Sequence, residues 1–290
     1  MIDPSPALVA LLNRKPPQRL YHYTSVGGID GIARSKVVWA SAAQYMNDAQ
    51  EFRLALDIAR RLLRKEADAA ESRARAFILD YLSEQLERAE QLEICVFSLS
   101  EDGDLLSQWR GYCPPNGGYS LGFDAGALRS SVVTQGVYLA PCVYGPIDHE
   151  RIVLDALRPV LERVPNTSES QGPDLRAEAE KYSAVLFEQI IFVAPLIKHT
   201  SFAEEKEWRL IWMPGRLDIL SLKYRQGPGL LVPFVEVSLS GEDGLVPLEE
   251  IIVGPMPHQE AALRALSGAL QNQGYSPKRY SLSQVPYRTW

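Results

Sequence analysis

Apolar and polar positions alternate with a period of two in short stretches near both ends of the chain, and with a helical period between them. Arg19–Tyr23 reads as a strand, followed by Thr24 or Ser25 as a helix cap and a helix to about Ser35 that turns Ile29 and Ile32 inward. Val37–Ser41 reads as a second buried strand. Asp48, with Glu51 three residues later, has the form of an acidic capping box and opens a helix with Phe52, Leu56, Ala59 and Leu63 on one face. That helical region, broken near Asp68–Ser72, runs to about Gln91. Ile94–Ser98 is strand-like, Leu105–Tyr112 a short helix, and Tyr119–Phe123 a strand after the Asn116-Gly117-Gly118 turn. Val137–Tyr144 reads as another strand, and Asp148–Arg163 and Leu175–Leu196 as helices. The last third holds strands at Glu207–Met213, Leu217–Tyr224, Leu231–Val237 and Ile251–Val253, then a helix at His258–Gln271. Strands at both ends around central helices predict a single α+β domain over residues 1–290, with helical insertions at about 49–92 and 148–197.

Composition narrows the function classes. With 46% hydrophobic and 23% charged residues the chain has the make-up of a soluble globular protein. Its net charge of −6 gives no overall field that would recruit nucleic acid, although Arg60–Lys65 and Lys278-Arg279 are short basic clusters. Between Glu51 and Glu90 nine acids stand against eight bases, the balance of a solvated helix face. No apolar run is long enough for a bilayer, and a start carrying Asp3, Pro4 and Pro6 is unlike a secretory signal, so a cytoplasmic protein with no membrane partner is expected. Cys95, Cys113 and Cys142 are widely spaced with no His at ligand spacing, and read as buried apolar residues, not as a disulfide framework or zinc site. Phosphate-loop, dinucleotide-fingerprint, zinc-protease and serine-hydrolase motifs are missing.

Four polar clusters interrupt otherwise apolar segments: Tyr21-His22-Tyr23-Thr24-Ser25; Tyr45-Met46-Asn47-Asp48 with Glu51; Trp109-Arg110-Gly111-Tyr112 with Gly118–Phe123 behind it; and Lys198 followed by Glu204-Glu205-Lys206-Glu207-Trp208-Arg209. Each also has an ordinary structural reading. His22 fits a satisfied core histidine, Asn47, Asp48 and Glu51 a helix start, Trp109 and Tyr112 one packed helix face, and Glu207 with Arg209 a buried pair on one face of a strand.

At these residues the chain resembles a large bacterial family catalogued as domain of unknown function twenty-nine seventy-one. Its members run from a Tyr-Thr-Ser start through a Trp-x-Ser strand, an Asn-Asp-x-x-Glu helix start and a Trp-x-x-Tyr helix to a Glu-x-Glu-Trp-Arg strand, and the likeness extends over roughly Leu20 to Gly254. The resemblance implies no activity, though some relatives look like parts of phage-defence systems. The chain is also similar to ADP-ribosyltransferases of the His-Tyr-Glu type. His22-Tyr23-Thr24, Tyr112 and Glu207 occur in that family's order and on matching elements, with Tyr23 standing where poly-ADP-ribosylating members have Gly. This second resemblance implies an ADP-ribosyltransferase-like mixed sheet with peripheral helical insertions, and NAD as substrate with no metal. It assigns Glu207 to stabilising the oxocarbenium-like ribose, Tyr112 to stacking on nicotinamide, and His22 with Thr24 to the adenosine ribose. Tyr23, Ser25 and Trp109 would border the dinucleotide, with Arg209, Asn47, Asp48 and Glu51 in support and a protein or nucleic acid as acceptor.

Two other function classes fit the same residues. Asp48, Glu51 and Glu207 could hold magnesium in a nuclease or phosphoesterase. Alternatively, an aromatic pocket around Trp39, Trp109 and Tyr112 could serve a sensor or binding module without catalysis.

Overall fold

The computed structural model describes residues 5–45, 49–89, 91–166, 173–213, 222–227, 229–241 and 244–286. Its first strand, β1 (Arg19–Thr24), is followed by helix α2 (Val26–Ser35), after a short helix α1 (Pro6–Leu12) that the apolar pattern did not single out. Ser25 caps α2, its hydroxyl accepting from Gly28 N at 3.2 Å, and Lys36 in the left-handed region (φ 60°) ends it. The chain then returns as β2 (Val37–Ala42). Helices α3 (Ala49–Asp68) and α4 (Arg73–Ala89) form an antiparallel hairpin, with the expected break between them. Next come β3 (Cys95–Ser100), α5 (Leu106–Tyr112), β4 (Tyr119–Asp124) and α6 (Ala125–Val133).

The expected strand at Val137–Tyr144 divides into β5 (Tyr138–Pro141) and β6 (Val143–Tyr144): β5 pairs with the strand Glu207–Trp212, a ladder that Cys142 N extends by bonding the Glu207 carbonyl, and β6 then pairs with Ile197–Lys198 in a separate two-stranded sheet. After α7 (Pro146–Arg163), α8 (Pro173–Val193) stops short of the expected Leu196: a 3-10 turn carrying Pro195, which cannot donate to the helix ladder, takes over. The remainder is β7 (Ile197–Lys198), β8 (Glu207–Trp212), β9 (Lys223–Gln226), β10 (Leu231–Ser238), β11 (Leu248–Val253), α9 (Gln259–Asn272) and β12 (Arg279–Leu282). Most of the strand expected at Leu217–Tyr224 lies outside the described residues.

Ten of these strands make one mixed sheet, in the order β12-β11-β4-β1-β3-β2-β10-β9, with β8 and then β5 branching from β3. All its pairings are antiparallel except β11 with β12. The protein is thus α+β, and β1 and β8 share one sheet. Period-two alternation sends neighbouring residues to opposite faces. Val96 and Ile211 enter a core with Leu56, Leu82, Val153 and Leu186 of the large helices. Cys95, Phe97 and Leu99 enter a second core with Ile29 of α2, Leu128 of α6 and Leu266 of α9.

The fork at β3 matters most for the site. β8 pairs with β3 from Cys95 to Ser100 and so fills one edge. The other edge is shared: β1 touches it at Tyr21 opposite Ser100, and β2 at Ser41 and Ala42 opposite Val96 and Cys95. β1 and β2 run parallel to one another, and between their contacts no strand among the described residues pairs with the backbone of Phe97–Leu99 on that edge. The sheet is split there.

Candidate functional site

A cavity of about 760 Å³ fills the split, lined by the end of β1, the Gly27–Gly28–Gly31 face of α2, one side of β2 and the open stretch of β3. Its size falls within the ~300–1,000 Å³ usual for small-molecule sites. Gly28 is required at this junction, since a Cβ there would lie 1.9 Å from Thr24 Oγ1.

His22 sits on the splayed end of β1. Its Nδ1 lies 3.0 Å from the Ser98 carbonyl and its ring centroid 4.2 Å from that of Phe97. A carbonyl only accepts, so Nδ1 carries the proton and Nε2 is left as an acceptor. Burial pushes the imidazole pKa down to about 4, against the opposing pull of the Ser98 carbonyl, so the ring is neutral at physiological pH. Ser98 Oγ, also at the cavity, is buried and has no partner among the described residues.

The depressed pKa of His22 has a measurable consequence. The unfolded histidine binds a proton near its ordinary 6.5 and the folded one only near 4, so this residue's contribution to stability is complete above 6.5 and disappears as pH falls to 4. Chemical denaturation of wild type is expected to lose on the order of 1–3 kcal/mol across that window. In His22→Gln the slope between pH 6.5 and 4 should flatten; an unchanged slope would show that His22 is not the group responsible.

Glu207 opens β8 opposite Ser100 and reaches the cavity from a wall of buried charge. Among the described residues five side chains make up that wall: Glu51 from α3, Lys198 from β7, Glu205 just before β8, and Glu207 and Arg209 alternating along it; none is more than 7% exposed. Arg209 donates to Glu207 through Nε (2.7 Å to Oε1) and Nη2 (3.2 Å to Oε2), to Glu51 Oε2 at 3.5 Å, and to the Pro195 carbonyl at 2.6 Å. Lys198 Nζ bonds Glu207 Oε2 and lies 2.7 Å from Glu205 Oε2. Glu51 Oε1 accepts from His199 N at 3.2 Å, and Glu207 N donates to Tyr144 Oη at 2.8 Å. Burial alone would raise the Glu207 pKa, but the charges of Arg209 and Lys198 outweigh it and hold the carboxyl at about 2. A carboxylate has about four lone-pair sites. The three hydrogen bonds to Glu207 among the described residues leave one on Oε1.

α5 brings the third group. Gln108 and Tyr112 are one helical turn apart and both line the cavity, Gln108 7% and Tyr112 41% exposed. Trp109, grouped with Tyr112 by their three-residue spacing, is turned to the other side. It is 2% exposed, does not line the cavity, packs edge-on against Tyr23 at 4.6 Å and donates from Nε1 to Asp104 Oδ1 at 2.7 Å. Trp109, expected to border a ligand, thus packs under Tyr23 beside this cavity, and it is Gln108 and Tyr112 of α5 that reach the lining.

Of the remaining expected site residues, Thr24, Ser25 and Tyr23 all border the cavity. Ser25 spends its hydroxyl on capping α2. Tyr23 Oη donates to the Asp102 carbonyl and accepts from Leu105 N, so it anchors the loop leading into α5. Glu51 is a member of the charged wall, and the capping box expected of it with Asp48 falls on a residue outside the described ones. Asn47 and Asp48 lie outside the described residues.

The fold and site together define a mixed α+β protein with a split sheet, a ligand-sized cavity and a buried carboxylate at its wall. Over residues 108–210 the chain matches the family described as Protein of unknown function (DUF2971), and the resemblance to that family holds over this span. The matched span is narrower than the Leu20–Gly254 expected. It takes in Tyr112, Lys198, Glu205, Glu207 and Arg209, while His22 and Glu51 lie outside it. No curated protein and no solved structure matches the chain.

Proposed function

We propose that the protein is an NAD-dependent ADP-ribosyltransferase, and an NAD glycohydrolase when water is the acceptor, built on an ADP-ribosyltransferase-like split sheet. The observation that carries this reading is the arrival of His22, Tyr112 and Glu207, from three different elements, at one cavity. In this reading the open lone pair of Glu207 Oε1 accepts the 2′-hydroxyl of the nicotinamide ribose. The ionised carboxylate then stabilises positive charge on that ribose as the bond from C1′ to the nicotinamide nitrogen breaks. Lys198 and Arg209 keep the carboxylate charged and fixed. The exposed ring of Tyr112 stacks on nicotinamide, and His22 Nε2 with Thr24 holds the adenosine ribose.

A magnesium site is less well supported. Glu51 and Glu207 are both bonded to Arg209, which occupies their oxygens, and Asp48, the third expected ligand, lies outside the described residues.

Thermal unfolding with NAD, with magnesium and with EDTA separates these readings. NAD is expected to raise Tm in a concentration-dependent way that EDTA does not alter. A rise with magnesium and none with NAD would replace the transferase with a metal-dependent phosphoesterase. Tyr112→Ala should raise the NAD concentration giving half the shift by about 10-fold, the worth of one aromatic stack, and His22→Ala should weaken both affinity and turnover. Unchanged NAD titrations of both variants would mean that the ligand lies elsewhere.

A further inference from the structure

The wall of the cavity farthest from Glu207 is one face of the leaf formed by β2, β10 and β9. Strand registers set Trp39 opposite Glu236, Ser41 opposite Phe234, Phe234 opposite Lys223 and Val232 opposite Arg225. Residues directly opposite share a face, so Trp39, Ser41, Glu236 and Arg225 all point to the same side, and all four line the cavity. Phe234 packs beneath Trp39, ring centroids 4.6 Å apart, and the indole remains 51% exposed. Glu236 is occupied by Lys223 at 2.7 Å. Arg225 donates from Nη2 to Ser41 Oγ at 3.2 Å, a neutral acceptor. Among the described residues lining the cavity Arg225 is the only cation, and no described carboxylate pairs with it.

The cavity is therefore electrically polarised. At one end, among the described residues, three carboxylates face two cations in the buried wall around Glu207; at the other stands an arginine beside an open aromatic face. The registers give the separation: Glu207 is opposite Ser100 and Ser41 is opposite Val96, four residues along β3, on the order of 13 Å. An anion is repelled from the first end and drawn to the second. Guanidinium groups take phosphate oxygens through paired N–H donors, and an exposed indole offers a stacking surface for a base.

We propose that the Arg225–Trp39 wall is a nucleoside-diphosphate subsite, in which Arg225 binds the phosphate oxygens and Trp39 stacks on the base. The proposal deepens the NAD reading and rests on it for the remainder of the ligand: the diphosphate sits at the cationic end and the ribose that becomes positive sits at Glu207.

The test is calorimetric titration of ADP, ADP-ribose and NAD into the full chain and into Arg225→Gln, Arg225→Lys, Trp39→Phe and Trp39→Ala. Wild type is expected to bind ADP and ADP-ribose, less tightly as NaCl is raised. Arg225→Gln should weaken ADP by at least ~10-fold, the loss of a charge-assisted contact, with Arg225→Lys in between. Trp39→Ala should weaken it several-fold and Trp39→Phe little. Arg225 lies on a strand with one sheet neighbour among the described residues, so Tm without ligand should stay near wild type in its variants. ADP bound equally tightly by wild type and Arg225→Gln overturns the subsite, whatever NAD does. Arginine-dependent ADP binding with no NAD binding and no nicotinamide release leaves the subsite standing and removes the transferase reading. If none of the three ligands binds wild type, both proposals fall.

Discussion

Glu207→Gln is expected to lower nicotinamide release from NAD by ~10²-fold or more, while the fold and NAD affinity stay close to wild type. The amide keeps the shape and one acceptor oxygen but loses the charge that stabilises the oxocarbenium-like ribose. The surrounding wall explains why folding should survive. Among the described residues Lys198 also pairs with Glu205 and Arg209 with Glu51, so removing the charge of Glu207 leaves each cation a carboxylate partner. The held-down pKa of Glu207 adds a second readout. A carboxyl at about 2 when folded and near 4.5 when unfolded contributes stability that is fully present above 4.5 and lost as pH falls to 2. Glu207→Gln should lack that part of the acid transition. A variant that consumes NAD as fast as wild type would assign the carboxylate a purely structural role.

Arg209→Leu is expected to be the most damaging single substitution to folding, by about 3–5 kcal/mol, the usual cost of removing one partner from a buried ion pair. Arg209 is 2% exposed and holds Glu207, Glu51 and the Pro195 carbonyl together. With leucine in its place Glu207 and Glu51 lose their bonds to the guanidinium and a buried carbonyl loses a donor. The chain should become poorly soluble, with a denaturation midpoint far below that of Glu207→Gln. A stable, fully active Arg209→Leu protein would contradict the assignment of Arg209 as the clamp of the site.

Much of this was legible before any coordinates, because the signals were local. β1, β2, β8 and the α3–α4 pair follow from hydrophobic period, and Glu207 and Arg209 share a face through strand alternation. What was not legible depended on long-range pairing. Nothing local says that β1 and β2 diverge from one edge of β3, and that divergence creates the cavity. Lys198 stood out in the sequence, but its pairing with Glu205 and Glu207 required β7 and β8 to be brought side by side. Arg225 gave no signal of its own, since its face is fixed only by the register with β10. Gln108 has one, its four-residue spacing from Tyr112, but the aromatic Trp109 is the more conspicuous neighbour on α5. Helix α6 was missed although Asp124 caps it, its Oδ1 accepting from Ala127 N at 2.8 Å, and Ala125, Leu128 and Val132 have helical spacing. Nine residues with three small or medium apolar contacts give a weak period.

The most direct measurement is the release of free nicotinamide from NAD by purified full-length wild type and Glu207→Gln, followed by chromatography under identical conditions. A split-sheet cavity that cleaves NAD at Glu207 should give steady release by wild type and at least ~10²-fold less by the variant, with both proteins stabilised by NAD to a similar extent. Equal release by the two proteins, or neither release nor stabilisation by NAD in wild type, would contradict it.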